Sequence, residues 1–459
     1  MKHRKMDRTY RVKKNGSFFR KHWKKITLVS ALCLCLMAAS MVSGLAAGRG
    51  GQMMMNGGFD GWTQGGWMGL STNVTYAESP SEIVTSSVEN AASALIADYE
   101  NAVYIRMSDS DSKVKINEVG TYVISGDCSD GSITVKKETT GVVLVLDGLN
   151  LASSDGAAVS INKDAQVKIV ISGSVTLTDN ENPADESSAD AETADAYDGA
   201  AIKAKAGSQV YLTGDGTLNI NGYAKNGIKV GDTDSSFVMD GENLTVNIVA
   251  ANDGINAGAD LTLLSGTLNV TAKDDAIHAD RILTIGDRDS ASGPSVTASA
   301  AECLEGTVVN IFGGNISVTA TDDAINGAQK DDTLIASVNI TGGTVNVQSQ
   351  GDGLDCNGNI NLLGGVITIS SASFGGQAGI DYDGAYYVAS AVTLNNNSGV
   401  AGPDGGGMRG GMNGQFQQSG QFSGFGQRGG QMSNPGQNQQ TDADTSATQS
   451  RQTHGGWNH

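Results

Sequence analysis

A right-handed parallel β-helix (β-solenoid) is the fold class this sequence predicts, and three observations predict it. A Gly-containing turn followed by alternating apolar and polar residues recurs along the middle of the chain. An acid–small–Ile/Leu phrase recurs beside it. The spacing between copies lies mostly in the twenties, with no helical pattern in between. Alternation with period two marks strands, and a short all-strand period marks a solenoid, whose coils cannot bury a core alone and must stack.

The turn phrase reads Gly173-Ser174-Val175-Thr176-Leu177, Gly216-Thr217-Leu218-Asn219-Ile220, Gly266-Thr267-Leu268-Asn269-Val270, Gly314-Asn315-Ile316-Ser317-Val318, Gly343-Thr344-Val345-Asn346-Val347 and Gly365-Val366-Ile367-Thr368-Ile369. Asn243-Leu244-Thr245-Val246 and Ser295-Val296-Thr297 fill the gaps without the Gly. Taking Val175, Leu218, Leu244, Leu268, Val296, Ile316, Val345 and Ile367 as markers gives intervals of 43, 26, 24, 28, 20, 29 and 22 residues. The 43 contains an acidic insertion, Asp179 to Asp198, so a coil takes 20–29 residues. A propeller needs longer periods, and the Asn/Cys-containing leucine-rich consensus is absent. The second phrase reads Asp253-Gly254-Ile255, Asp275-Ala276-Ile277, Glu302-Cys303-Leu304, Asp323-Ala324-Ile325 and Asp352-Gly353-Leu354. Stacked coils turn its apolar members into one interior ladder at the ~4.8 Å inter-strand distance.

These phrases and this period resemble the β-helical carbohydrate-binding domain family of clostridial cellulose- and pectin-binding proteins, which is similar in fold to pectate lyases. The resemblance covers roughly residues 97–398. It implies polysaccharide binding and bound calcium.

The flanks differ in kind. Residues 1–25 hold eleven Lys/Arg against the single Asp7, a net +10. The apolar run 26–47 follows, the layout of a secretory signal peptide or, uncut, of a membrane anchor. Either way the remainder is expected to be exported, secreted or held at the cell surface, with membrane contact only through 26–47. Residues 48–96 read as a Gly/Met-rich and polar linker with a short helical stretch in 71–95. Residues 399–459 read as a disordered Gly/Gln/Met-rich tail. Arg49-Gly50-Gly51-Gln52-Met53 returns there as Arg428-Gly429-Gly430-Gln431-Met432.

Charge and composition exclude several functions. The whole chain carries −19, so the part after residue 25 carries −29, a poor match for nucleic acid. All four Trp lie outside 71–456, and His278 is the one His between residues 23 and 453, which excludes an aromatic cofactor pocket or a multi-histidine metal site there. Cys128, Cys303 and Cys356 are odd in number and widely spaced, which suits small buried apolar residues better than a disulfide framework. Calcium, which takes oxygen ligands, stays open.

In stacked coils the acid phrase builds columns: Asp253, Asp275, Glu302, Asp323 and Asp352 in one, and Asn256, His278, Glu305, Asn326 and Asp355 three residues further on. Asp274 and Asp322 precede two members of the first. The acids are expected at a coil corner. Like charges ~4.8 Å apart repel by about 0.9 kcal/mol in water and about 3.5 kcal/mol at an effective dielectric of 20, so a counter-ion is expected. Calcium fits, because two oxygens at ~2.4 Å on opposite sides of an ion span that gap. Asp253, Asp274, Asp275, Glu302, Glu305, Asp322, Asp323, Asp352 and Asp355 are the candidate metal ligands. The plainer alternative is that they are solvated turn residues, a common place for Asp.

Catalytic signatures are sparse. There is no G-x-S-x-G elbow, P-loop or H-E-x-x-H, and residues 97–398 lack the Gly-His-Gly and Arg-x-Lys motifs of polygalacturonases. Arg281 is the one candidate base for a lyase, and the Asp274-Asp275 and Asp322-Asp323 pairs with His278 offer only a superficial hydrolase set. Asn256, His278, Asn326, Tyr223 and Tyr382 are the candidate ligand-binding residues, and contact is expected to be mainly polar along a flank. The expectation is an exported, monomeric, non-catalytic binder of acidic (pectate-like) or cellulosic polysaccharide, with calcium. The alternatives are a lyase or hydrolase on the same scaffold, and a structural surface protein or adhesin.

Overall fold

A column of aliphatic side chains organises the molecule. In the computed structural model Leu144, Ile169, Leu212, Met239, Leu263, Ile285, Ile311, Ile340, Leu362 and Val388 sit in register on successive coils. All but Val388 are buried. The structure describes residues 74–402 except 110–112, 155, 180–198, 233 and 373–376. The expected signal or anchor segment, the Gly/Met-rich stretch before residue 74, nearly all of the acidic insertion and the tail from residue 403 lie outside the described residues. Among the described residues no helix is long and apolar enough to cross a membrane.

Among the described residues, thirty-one strands pair in parallel and wind into a β-solenoid with three faces. The first face carries the acid phrase, with Ile228, Ile255, Ile277, Leu304, Ile325, Leu354 and Ile380 as its inward ladder. This is the interior ladder expected from sequence, longer by one coil at each end in that list. The second face carries the Leu144–Val388 column. The third carries the turn phrase, with Val175, Leu218, Val246, Leu268, Val296, Ile316, Val345 and Ile367 in register. One marker is corrected: Val246, not Leu244, aligns with Leu218 and Leu268. Without the turn Gly, alternation alone left the register two residues adrift, which is one full side-chain repeat on the same face.

The small residues of both phrases have steric causes. Gly314 and Gly343 take φ of +100° and +84°, a region costly for residues with a Cβ. In the acid phrase, a Cβ on Gly353 would lie 2.3 Å from Ile369 Cγ2 and 2.5 Å from the Gly379 carbonyl oxygen. The middle position faces the next coil, so it stays small. Cys128, Cys303 and Cys356 are free and buried, as expected.

The linker expected up to residue 96 is, from Val74 onward, a strap along the second face. Ala77 N–H donates to the Tyr386 carbonyl at 2.8 Å, and Ser81 N–H to Asn361 Oδ1 at 3.0 Å. Asn310 Nδ2 donates to the Val84 carbonyl at 2.9 Å. Further along, Ser86 Oγ meets Asp260 Oδ2 at 2.5 Å, Asn90 Nδ2 the Val210 carbonyl at 2.9 Å, and Asp98 N–H Thr121 Oγ1 at 2.8 Å. The expected helical stretch is a single 3-10 turn, Ala91–Ala94, capped by Asn90. Composition could not show the strap, because polar residues that bond to a sheet face read like polar residues in a linker.

Beneath the strap, Asn310, Asn339 and Asn361 form an amide ladder: Asn339 Nδ2 donates to Asn310 Oδ1 at 2.9 Å, and Asn361 Nδ2 to Asn339 Oδ1 at 2.7 Å. Asn339 is fully buried, and truncating it leaves partners on both sides unsatisfied. Asn339→Ala is expected to cost about 1–3 kcal/mol, read as a lower urea midpoint with an unchanged slope.

Candidate functional site

The first face places Lys203, Lys229, Asn256, His278, Glu305, Asn326, Asp355 and Asp381 in one outward column, each paired in register with the next. The column runs from cationic to anionic. At the preceding corner Asp253, Asp275, Glu302, Asp323 and Asp352 form the other expected column, and several of them share a structural task. Asp275 N–H donates to Asp253 Oδ1 at 3.2 Å and Asp352 N–H to Asp323 Oδ1 at 2.6 Å. Asp352 Oδ1 in turn accepts from Ala378 N–H. Each of these carboxylates ties the next coil's backbone at the corner. This supplies a reason for the acid phrase that needs no metal.

Around His278 the charges close on themselves. Its Nδ1 lies 2.9 Å from Asp275 Oδ2 and against Glu305 Oε2, and its Nε2 lies 2.8 Å from Asp280 Oδ1. Lys330 Nζ reaches Glu305 Oε1 at 3.1 Å. Burial alone would depress the imidazole, but hydrogen bonds to Asp275, Asp280 and Glu305 outweigh it and hold the ring up at about 11. Asp275 is pushed up, first by burial and then by the Glu305 and Asp253 charges, against the opposing His278 hydrogen bond. Burial opposes ionisation of Glu305 too, but His278 and Lys330 hold its pKa down. An imidazolium with a carboxylate on each nitrogen offers no lone pair. His278 is therefore placed as a counter-ion to Asp275 and Glu305, and one atom each from these three residues lies within 4.8 Å of the others, a second grouping that could hold a metal ion.

The C-terminal coils differ. One oxygen each from Asp352, Asp355 and Asp381 lies within 4.8 Å of the others. Burial raises Asp355 to about 7, helped by the charges of Asp323, Asp352, Asp381 and Asp383, all carboxylates. Asp352 is also raised to about 7 by burial and by Asp323, Asp381 and Asp322, against the Ala378 hydrogen bond. Hard oxygen donors in this number suit calcium, which fills its remaining positions with carbonyl, water or substrate oxygens.

The other expected residues scatter. Asp274 and Asp322 are exposed at turns, outside both clusters. Glu302 accepts from Asn326 Nδ2 at 2.9 Å, and burial with the Glu305, Asp275 and Asp323 charges raises it to about 7. Asn256 donates to Asp253 Oδ2 and accepts from Lys229 Nζ, both at 2.5 Å. Tyr382 is corrected from ligand contact to core: it is 2% exposed, donates to the Thr75 carbonyl at 3.2 Å, and its ring lies 5.2 Å from that of Tyr386. Apolar packing at the last coils wins over exposure. Tyr223 is 59% exposed. Arg281 is held by Asp331 at 2.9 Å and Asp260 at 3.5 Å, which ties the candidate base into ion pairs.

Sequence reasoning missed Asp381 and Lys330. Gly379-Ile380-Asp381 repeats Gly353-Leu354-Asp355, but Ala378 stands where the phrase has its acid. Lys330 lies on a loop with no repeat to flag it.

His278→Ala leaves Asp275 buried without its cation and Glu305 with Lys330 alone, an expected loss of about 3–5 kcal/mol near neutral pH. The folded pKa of about 11 lies above the ordinary 6.5, so the imidazolium's contribution is complete below the lower value and fades as pH rises through the upper one. Urea midpoints of wild type and variant should therefore converge on going from about pH 7 to about pH 11.

Residues 110–293 and 290–405 match the family described as carbohydrate-binding domain-containing protein, together well over half of the chain. A carbohydrate-binding domain-containing protein of Acetivibrio thermocellus is 33% identical over 175 residues, 37% of this chain and 57% of that relative. The chain thus spans a little over half the length of this relative. A polysaccharide lyase-like protein from C. thermocellum, solved as a gadolinium derivative, is similar with a TM-score of 0.34 and 19% identity, over 65% of this chain and 98% of that one. Repeat, fold and family match agree: the chain belongs to the carbohydrate-binding domain-containing family.

Proposed function

We propose that this protein is an exported, non-catalytic binder of acidic polysaccharide, and that it grips its ligand along the first face with calcium at Asp352, Asp355 and Asp381. The observation that carries the reading is the all-carboxylate cluster on the last coils, where one oxygen each from Asp352, Asp355 and Asp381 lies within 4.8 Å of the others. Asn326, whose register partner is Asp355, adds a buried side-chain oxygen with no hydrogen-bond donor, an oxygen suited to an ion or its water. The basic and apolar leader layout supports export. An acidic glycan meets a body of the same sign, and calcium coordinated by carboxylates of both partners removes that conflict. Binding without cleavage is supported by the ion pairing of His278 and Arg281, the two groups best suited to move a proton.

In chelator, stability should fall as pH rises from the ordinary carboxylate range towards about 7, because folding holds Asp352 and Asp355 protonated over that window. Calcium should reverse the loss. A ligand specific to the folded state adds about 2.7 kcal/mol at a hundredfold excess over Kd. The test is a set of melting curves near pH 8 with calcium or chelator, each with and without polygalacturonate. A calcium shift that grows with polygalacturonate, and that Asp355→Asn with Asp381→Asn removes, supports the reading. A calcium shift that survives those substitutions would falsify the assignment of the ion. Ultraviolet-absorbing products from polygalacturonate would replace binding by lyase activity.

A further inference from the structure

The third face takes no part in the site just described, and its chemistry is of another kind. Nine strands from Ser174–Asp179 to Thr393–Asn396 stack in register without a bulge. Their outward positions hold Ser, Thr, Asn, Gln or Val and not one charged residue, in a chain with 49 acids and 30 bases. The middle row runs Thr176, Asn219, Asn247, Asn269, Thr297, Ser317 and onward. Asn247 Nδ2 donates to Asn219 Oδ1 and Asn269 Nδ2 to Asn247 Oδ1, both at 2.9 Å. A shallow depression between Asn247 and Ser299 interrupts the face.

We propose that this face is a second glycan-binding surface, for an uncharged, extended polysaccharide, working independently of the calcium site. The reading rests on membership of the carbohydrate-binding family and not on the metal. Strand spacings give an array roughly 38 Å along the stack and 13 Å across. Hydroxyls and amides both donate and accept, as sugar hydroxyls do. No ion on the outward rows has to be desolvated, and a charged polymer would find no counter-charge there. Thr is stiff at its first side-chain torsion, and Asn219, Asn247 and Asn269 are held by one another, so less side-chain freedom remains to be lost on binding at these positions. The second face cannot serve in the same way, because the strap covers it.

The test uses the full chain and insoluble cellulose as the neutral probe, with calcium or with chelator. Wild type should be retained equally in both. Thr297→Glu with Asn346→Glu, two exposed positions separated by one coil, should weaken retention by about tenfold or more. The melting midpoint and the calcium-dependent response to polygalacturonate should stay as in wild type. Thr297→Lys with Asn346→Lys must weaken it as well, since a loss confined to the acidic pair would be net-charge repulsion and would overturn the proposal. Unchanged retention of both pairs overturns it, as does the absence of wild-type retention. Loss of cellulose retention with chelator, or with Asp355→Asn and Asp381→Asn, would move neutral glycan to the first face. Failure of the polygalacturonate response alone would reject the calcium reading and leave this one standing.

Discussion

In-register stacking of coils is the constraint on which everything else here depends. Whatever occupies one position of a coil meets its counterpart ~4.8 Å away on the next. Aliphatic residues turn this to advantage inside, where each ladder member shields its neighbours. Amides do so outside and under the strap, because a donor at one end of each group meets an acceptor on the next. Carboxylates cannot, and every acidic column in the structure shows what has been done about it. Asp253 and Asp323 accept backbone N–H groups, Glu302 accepts an amide, and Asp275 and Glu305 share an imidazolium.

The same constraint sorts chemistry by face. A side chain's column decides its neighbours more than its place in the sequence does, so the coil can keep three unlike surfaces within a few residues of each other. Lys229 and Val249 are twenty residues apart in the chain, yet one stands in a charged column and the other in an uncharged row. On the two readings proposed above, an acidic and an uncharged polymer would each meet its own face.

Much of this was legible in the sequence. The Ile255, Ile277, Leu304, Ile325 and Leu354 ladder, and both columns beside it, follow from one repeated phrase, because a period that preserves alternation also preserves register. The failures come where the phrase is broken or where contact is long-range. Leu244 is a false marker, because its turn lacks the Gly that fixes the register elsewhere. Asp381 escaped notice because Ala378 replaced the preceding acid. The pairing of Lys330 with Glu305, and of Arg281 with Asp331, depends on loops that no repeat describes. Tyr382 read as an exposed aromatic because its partner Tyr386 and the strap residue Thr75 could not be placed beside it.

The strap alters what kind of folding unit the solenoid is. A repeat array is quasi-one-dimensional: each coil knows only its neighbours, and coils could fray from either end independently. Here Thr75 accepts a hydrogen bond from Tyr382, 307 positions away, and Ser81 meets Asn361 across 280, while Asp98 is already back at Thr121. One continuous segment thus joins the last coils to the first. It also sets an order of events. A chain made from its N-terminus has its strap long before it has the surface on which the strap lies, since that surface is complete only when Tyr386 has been added. The first part of the solenoid to be synthesised is the last to be fastened.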